Sequence, residues 1–252
     1  MRIGRGRVRQ LPLPPRAAAP SAQAGFGLIE LMIVILLSLI LLFGLTSFLF
    51  GAKQTFTAQN QLAQLQDNER MAMTLLTSVI QTAGYFPTQA TNTPAQALPA
   101  SGNFAAGQSI YGVTGDQITV RYVAGTNDDV MDCTGQTNTG SAPLTDLNTF
   151  YVNNNQLMCQ VTVNGVAGAA VALVNGMTSM SILYGVDTNS DLSADQYLTA
   201  SQMTTAAWNT VVSVQIQLTF ANPLTGSTAT GTSTATAGVL TLTRTIDLLN
   251  KS

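Results

Sequence analysis

The chain has 252 residues, 46% of them hydrophobic and only 9% charged, with two cysteines and no histidine. The apolar content excludes disorder, and the length allows one or two domains. Without histidine, a zinc site of the usual Cys/His kind and acid–base catalysis through imidazole are both excluded.

Charge is unevenly distributed. Arg2, Arg5, Arg7, Arg9 and Arg16 are half of the ten basic residues, and no acid accompanies them. Residues 1–25 thus form a basic leader, which stays out of the fold argument. Basic flanks of a first membrane helix stay cytoplasmic, so the N-terminus is expected inside and the rest outside. Beyond the leader, only Lys53, Arg70, Arg121, Arg244 and Lys251 stand against all twelve acids. An acidic body argues against direct binding to nucleic-acid phosphates.

The stretch from Gly25 to Gly51, GFGLIELMIVILLSLILLFGLTSFLFG, is apolar almost throughout and carries one charge, Glu30. About 20 such residues suffice to cross a bilayer as a helix. A carboxylate inside that segment costs about 2.5–3.5 kcal/mol, so Glu30 needs a reason. Gly25-Phe26, then Glu30, then an unbroken apolar run resembles the processing signature of type IV prepilins. The resemblance implies that a prepilin peptidase cuts after Gly25 and that Phe26 becomes an N-methylated N-terminus. Unlike a secretory signal, this cut falls before the apolar run, which survives. The new Phe26 amine then lies one helical turn from Glu30. Residues four apart share a helix face, so the pair can neutralise within one chain. In the family, Glu30 instead meets the Phe26 amine of a neighbouring subunit and sets register in the filament core. The competing view is an ordinary signal anchor with a stray Glu near its cytoplasmic end.

No proline occurs between Pro20 and Pro87, so one helix is expected over residues 26–84, with 26–52 as its membrane or filament-core part. Gly44 and Gly51 would soften that part. After Lys53, the residues Leu62, Leu65, Ala72, Met73, Leu76, Val79, Ile80 and Ala83 form one apolar stripe, as for a helix laid on a sheet. Glu69 falls inside the stripe with no evident partner. Gly84 ends the helix, and Pro87 follows.

Thr88 to Gly107 reads as a loop. Strands are expected at Gln117–Val123, Thr149–Val152, Gln156–Val163, Ala169–Val174 and Thr178–Val186, then around Val212–Phe220 and Leu240–Leu248. Asn153-Asn154-Asn155, Asn164-Gly165 and Asn175-Gly176 are hairpin-type signals. The Ser227–Gly238 tract, STATGTSTATAG, reads as flexible. One long helix followed by many short strands gives an α+β fold: a helix packed on an antiparallel sheet, with residues 85–252 as the β-rich extracytoplasmic domain.

Cys133 and Cys159 both lie in the exported part and should pair in an oxidising compartment; the other outcome is two buried thiols. Asp187, Asn189, Asp191 and Asp195 occupy positions one, three, five and nine of a would-be calcium loop. Leu192 stands at position six in place of Gly, and Leu198 at position twelve in place of Glu. The alternative is an Asx-rich polar turn. Asp128, Asp129 and Asp132 lack metal-like spacing and read as a solvated loop.

The segments LQDNERMAMTLL, AGYF, NTFYVNNNQLMC, YGVDTNSDLSADQYL and AWNTVVSVQIQLTF resemble the PilW family of type IV minor pilins. The resemblance implies a low-abundance subunit that joins other minor pilins and the major pilin at the pilus tip and helps to prime assembly. It places the protein in the inner membrane, single-pass, and then in the pilus. The family is also similar to the J-type minor pseudopilin of type II secretion. A third reading is a tip module whose exposed β domain contacts a surface, DNA or an adhesin. An anchored enzyme is not expected, because no Ser or Cys sits in a nucleophile elbow. No cofactor is expected beyond the calcium candidate.

Overall fold

The computed structural model describes residues 25, 27–224 and 238–250. The leader through Ala24, Phe26 and the tract up to Ala237 lie outside them. The chain divides into two compact units, Met1–Lys53 and Gln54–Ser252.

Helix α1 spans Leu28–Gln81. In the first unit every described residue of α1 is exposed, from Leu28 to Lys53. Two of its hydroxyls bond back to the helix: Ser38 donates to the Ile35 carbonyl at 2.8 Å, and Thr46 to those of Leu42 and Phe43, both at 2.9 Å. Satisfying polar groups internally suits an apolar medium.

In the second unit, α1 buries Leu65, Ala72, Met73, Leu76, Val79 and Ile80. Leu62 departs from the expected stripe and stays at the surface; burial starts one turn later, at Leu65. The last turn tightens, and Gly84 takes φ +78°. Its N–H donates to the Arg121 carbonyl at 3.0 Å, which turns the chain toward the sheet.

Two antiparallel sheets share the core with α1, where the sequence led us to expect one. Strands β1 (Ile110–Tyr111), β2 (Gln117–Ala124), β3 (Leu144–Asn153), β4 (Gln156–Val163) and β5 (Val166–Asn175) form the first, in that order. Strands β6 (Met177–Val186), β7 (Gln196–Leu198), β8 (Val211–Ala221) and β9 (Val239–Asp247) form the second, ordered β7-β6-β8-β9. Asn154 and Asn155 take φ 50° and 58°, the left-handed pair that closes a tight hairpin between β3 and β4.

Asn175-Gly176, which also reads as a hairpin, does something else. Strands β5 and β6 do not pair, and Gly176, at φ +84°, carries the chain from one sheet to the other. Its N–H donates to Asn155 and its carbonyl accepts from Ala221, both at 2.9 Å, so one glycine ties both sheets. The amide of Asn68 on α1 adds a bond to the Asn175 carbonyl at 3.2 Å. Inward residues come from both sheets: Ile118, Val120, Phe150 and Leu157 from the first, Met180, Ile182, Val214, Ile216 and Leu218 from the second.

Trp208, in a short turn at Ala207–Thr210, packs edge-on to Tyr184 at 4.7 Å and lies 5.2 Å from Tyr111, ring centre to ring centre. Tyr111 in turn lies 5.8 Å from Phe104, and the Arg121 guanidinium sits 4.6 Å from the Phe104 ring centre. Arg121 is 1% exposed. It donates to the carbonyls of Gln108 (2.9 Å), Pro99 (2.8 Å), Ala105 (2.9 Å) and Leu98 (3.4 Å). The segment expected as a plain loop is thus folded around one cation. Burial lowers its pKa to about 10, which leaves it charged at neutral pH.

Cys133 and Cys159 form a disulfide, with Cα atoms 6.4 Å apart and the two residues 26 positions apart in sequence. A loop of that size is worth roughly 3 kcal/mol in the chain-entropy picture. The bond staples the loop after β2 onto β4. The same loop is held by Asn148, whose side-chain oxygen accepts from the Cys133 N–H at 2.8 Å, and by Tyr122, which donates to the Met131 carbonyl at 3.2 Å.

Beneath that loop lies Asp146, buried, with Oδ1 making no hydrogen bond among the described residues. Its carboxyl is pushed up to about 6, first by burial and then by Asp132 and Asp128. A carboxyl that holds its proton more tightly in the fold stabilises most below its unfolded value near 4, and that contribution fades as pH rises through about 6. Asp146→Asn should therefore melt roughly 5 °C above wild type at about pH 7.5, with the two curves converging near pH 4. Thermal melts followed by circular dichroism check this, and a variant less stable at both pH values would show that the carboxylate is held by an attraction instead.

Candidate functional site

The N-terminal motif is built on the first turn of α1. Gly27 opens it by accepting from the N–H groups of Glu30 at 3.0 Å and Leu31 at 3.2 Å. Glu30 is exposed in that turn, on a helix whose flanking side chains, Ile29, Leu31 and Met32, are also exposed and apolar. An acid in the first turn complements the positive helix end. Gly25 is exposed, and a Cβ there would meet no described atom within 4 Å. Among the described residues, nothing would obstruct a side chain at this position. Phe26, its partner at the expected cut, lies outside the described residues.

Asp187, Asn189, Asp191 and Asp195 come together in the loop between β6 and β7. Asp187 accepts from the N–H groups of Asn189 (3.0 Å), Ser190 (2.6 Å) and Leu192 (2.8 Å). Asp195 accepts from the Thr188 N–H and hydroxyl, both at 2.7 Å, and from the Asn189 amide at 3.3 Å. Burial pushes the Asp187 carboxyl up, but the N–H groups of Leu192, Ser190, Asn189 and Asp191 outweigh it and hold it below the ordinary carboxylate value. Thr188 does the same for Asp195. Leu198, counted as position twelve, belongs to β7 and pairs with Tyr184. Among the described residues no group of three His, Cys, Asp or Glu is arranged to hold a metal ion. The loop closes on its own backbone.

The second acidic cluster is also turn-forming. Asp128 accepts from the N–H groups of Gly125 at 2.6 Å and Val130 at 3.2 Å. Asp132 accepts from those of Thr134 at 2.7 Å and Gln136 at 3.0 Å. Asp129 is exposed at φ 57°. Sequence patterning missed Arg121 as the centre of the Pro99–Gln108 segment. The one signal was a lone basic residue inside a strand of an acidic domain.

A long apolar helix with an acid in its first turn, continuing into a core shared with antiparallel sheets, defines a type IV pilin-like protein. Residues 20–46 match the family model of the prokaryotic N-terminal methylation motif, and residues 146–248 match that of the type IV pilus-assembly protein W. The chain thus joins a prokaryotic N-terminal methylation motif to a region similar to the type IV pilus-assembly protein W. The second match runs from β3 to just past β9. No curated protein matches the chain. Among solved structures it is similar to a type IV-like pilin from Thermus thermophilus, at 14% identity and TM-score 0.40, over 75% of this chain and 97% of that one. It is also similar to a chain in the binary complex of two pseudopilins from the Type 2 Secretion System of Vibrio vulnificus, at 9% identity and TM-score 0.40, over 76% and 95%.

Proposed function

We propose that the protein is a minor pilin, cut by a prepilin peptidase between Gly25 and Phe26, and incorporated at the tip of a type IV pilus, where it helps to prime assembly with other minor pilins and the major pilin. The observation that carries this reading is the first half of α1. Its apolar side chains from Leu28 to Phe50 are exposed, and by length and composition the helix can cross a membrane. Such a surface needs lipid before assembly and other pilin helices after it. Gly25 supports the same reading. Since no described residue would obstruct a side chain there, the requirement for glycine comes from outside the chain, from a peptidase that must approach the backbone closely. The protein would sit in the inner membrane with its leader cytoplasmic, and later in the pilus, where an adhesin is a further partner. Mass spectrometry of membrane-extracted protein should show a chain starting at N-methyl-Phe26, and Gly25→Ala should reduce cleavage by about tenfold or more, a loss of roughly 1.4 kcal/mol in the peptidase transition state. A chain that still starts at Met1 beside an active peptidase would sink this assignment. The J-type pseudopilin of type II secretion is the alternative, and gene neighbourhood separates the two.

Calcium at Asp187, Asn189, Asp191 and Asp195 is a second proposal, favoured by one observation. Leu192, sixth in the loop, takes φ 65°, the left-handed bend that a calcium loop makes at that position. If the ion binds the fold, calcium should raise the melting temperature by several degrees over chelator. Equal melting in both would leave the loop as an Asx turn.

A further inference from the structure

The face of the five-stranded sheet turned away from the core carries a groove of about 680 Å³, within the roughly 300–1,000 Å³ typical of small-ligand sites. Its floor includes Thr119, Thr145, Thr149 and Thr162, one or more from each of β2, β3 and β4, and its wall carries Phe104 and Tyr111. We propose that this groove binds a neutral oligosaccharide. The inference goes beyond the pilus assignment and does not depend on it.

The chemistry of the lining selects the ligand. Among the described residues, Arg121 is the only charged one that lines the groove, and its guanidinium is spent on backbone carbonyls. A charged ligand would lose hydration there without gaining a counter-charge. A purely apolar ligand would strip water from the threonine hydroxyls and leave them unpaired. Thr119 and Thr149 bond to each other at 3.0 Å, which leaves one donor and three acceptor sites between the two hydroxyls. Threonine also presents a methyl beside each hydroxyl. A sugar ring offers the same mixture, hydroxyls at its rim and C–H groups on its faces. The Tyr111 ring, half-buried and tilted 56° to that of Phe104, gives such a C–H face a surface to stack on. Asn103, exposed on the rim, adds an amide able to donate and accept at once. A peptide is less well served, since the face of a sheet shows it side chains and no free backbone edge.

The molecule carries its own reporter. Trp208 is the single tryptophan, does not line the groove, and lies 5.2 Å from Tyr111, which does. The full chain, in an amine-oxide detergent without a sugar headgroup, is titrated with cellohexaose, maltohexaose and hexa-N-acetylchitohexaose while Trp208 emission is followed. At least one should give a saturable change. The double variant Thr119→Val, Thr149→Val keeps the shape and removes both hydroxyls, and should weaken binding about tenfold. Asn103→Ala tests the rim without touching the sheet and should also weaken it. No response to any of the three up to about 10 mM, well above a weak millimolar Kd, overturns the proposal. So does a response only to a heparin hexasaccharide, a response only to a neutral hexapeptide, or wild-type affinity in both variants.

Discussion

Glu30→Val should leave membrane insertion and leader cleavage intact and reduce incorporation into pili at least tenfold. The expectation rests on where the carboxylate sits in each state. In a single subunit, Glu30 is in the first turn of α1, close to the helix end, where it can reach headgroups at modest cost. In the filament proposed above, the apolar surface from Leu28 onward would be covered by other subunits and water would leave. A carboxylate there must meet a cation, and the Phe26 amine of a neighbour is the one the prepilin pattern supplies. Losing one partner of a buried pair costs about 3–5 kcal/mol, because the other charge is stranded. Every 1.4 kcal/mol is a factor of ten in a subunit equilibrium, so the effect should be easy to read. The measurement counts this subunit in sheared pili and in the inner membrane, for wild type and variant. Wild-type levels of Glu30→Val in pili would show that the carboxylate does not pair across subunits.

Arg121→Leu should lower the melting temperature by about 10 °C. The guanidinium joins four carbonyls of the Leu98–Gln108 segment; those of Leu98 and Ala105 also accept from the N–H groups of Gly107 and Gln108, and those of Pro99 and Gln108 rely on the guanidinium. Hydrogen bonds to a charged group are worth about 1.5–3 kcal/mol each, and unmet buried carbonyls add to the loss. Solvent can enter and repay part of it, so a net cost of about 3–5 kcal/mol is expected, at roughly 2–4 °C per kcal/mol for a domain of this size. Hydrogen exchange should rise first between Pro99 and Gln108, and Phe104, which stacks on the guanidinium, should become mobile. Lysine is not an adequate substitute, since one ammonium cannot present the planar fork that reaches carbonyls on several sides. A melting temperature within about 2 °C of wild type would mean that the segment holds itself together, without the cation.

The elements with strong periodicity were legible in the sequence. The stripe from Leu65 to Ile80 and the alternation of Val214, Ile216 and Leu218 report burial directly, because each face has a single environment along its length. Strands β1 and β7, of two and three residues, are too short to show any period. The partition into two sheets was not legible for a different reason. Asn175-Gly176 specifies a turn, but a turn does not choose a partner. Strand β6 goes to β8 because Met180, Ile182 and Tyr184 find their cross-strand neighbours in Leu218, Ile216 and Val214, thirty or more residues downstream. Arg121 hides for a similar reason. It lies on the outward face of β2, and only the return of the Leu98–Gln108 segment over that face buries it.

Strand β5 has one free edge. Seven consecutive residues from Val166 to Ala172 are exposed, none is charged and none is proline. Native sheets usually guard such an edge with lysine, proline or a bulge that twists it away from its neighbours. Here lysine and proline are absent, and the guard is the third kind: the pairing of β5 with β4 is irregular at Leu173 and again between Ala167 and Ala170. Those two irregularities are what keep this uncharged edge from stacking on a second copy at the concentrations used for crystals or spectra, so straightening them should bring association through β5. Light scattering that grows with concentration, and is relieved by mild denaturant before the fold melts, is the sign to watch for in such a variant.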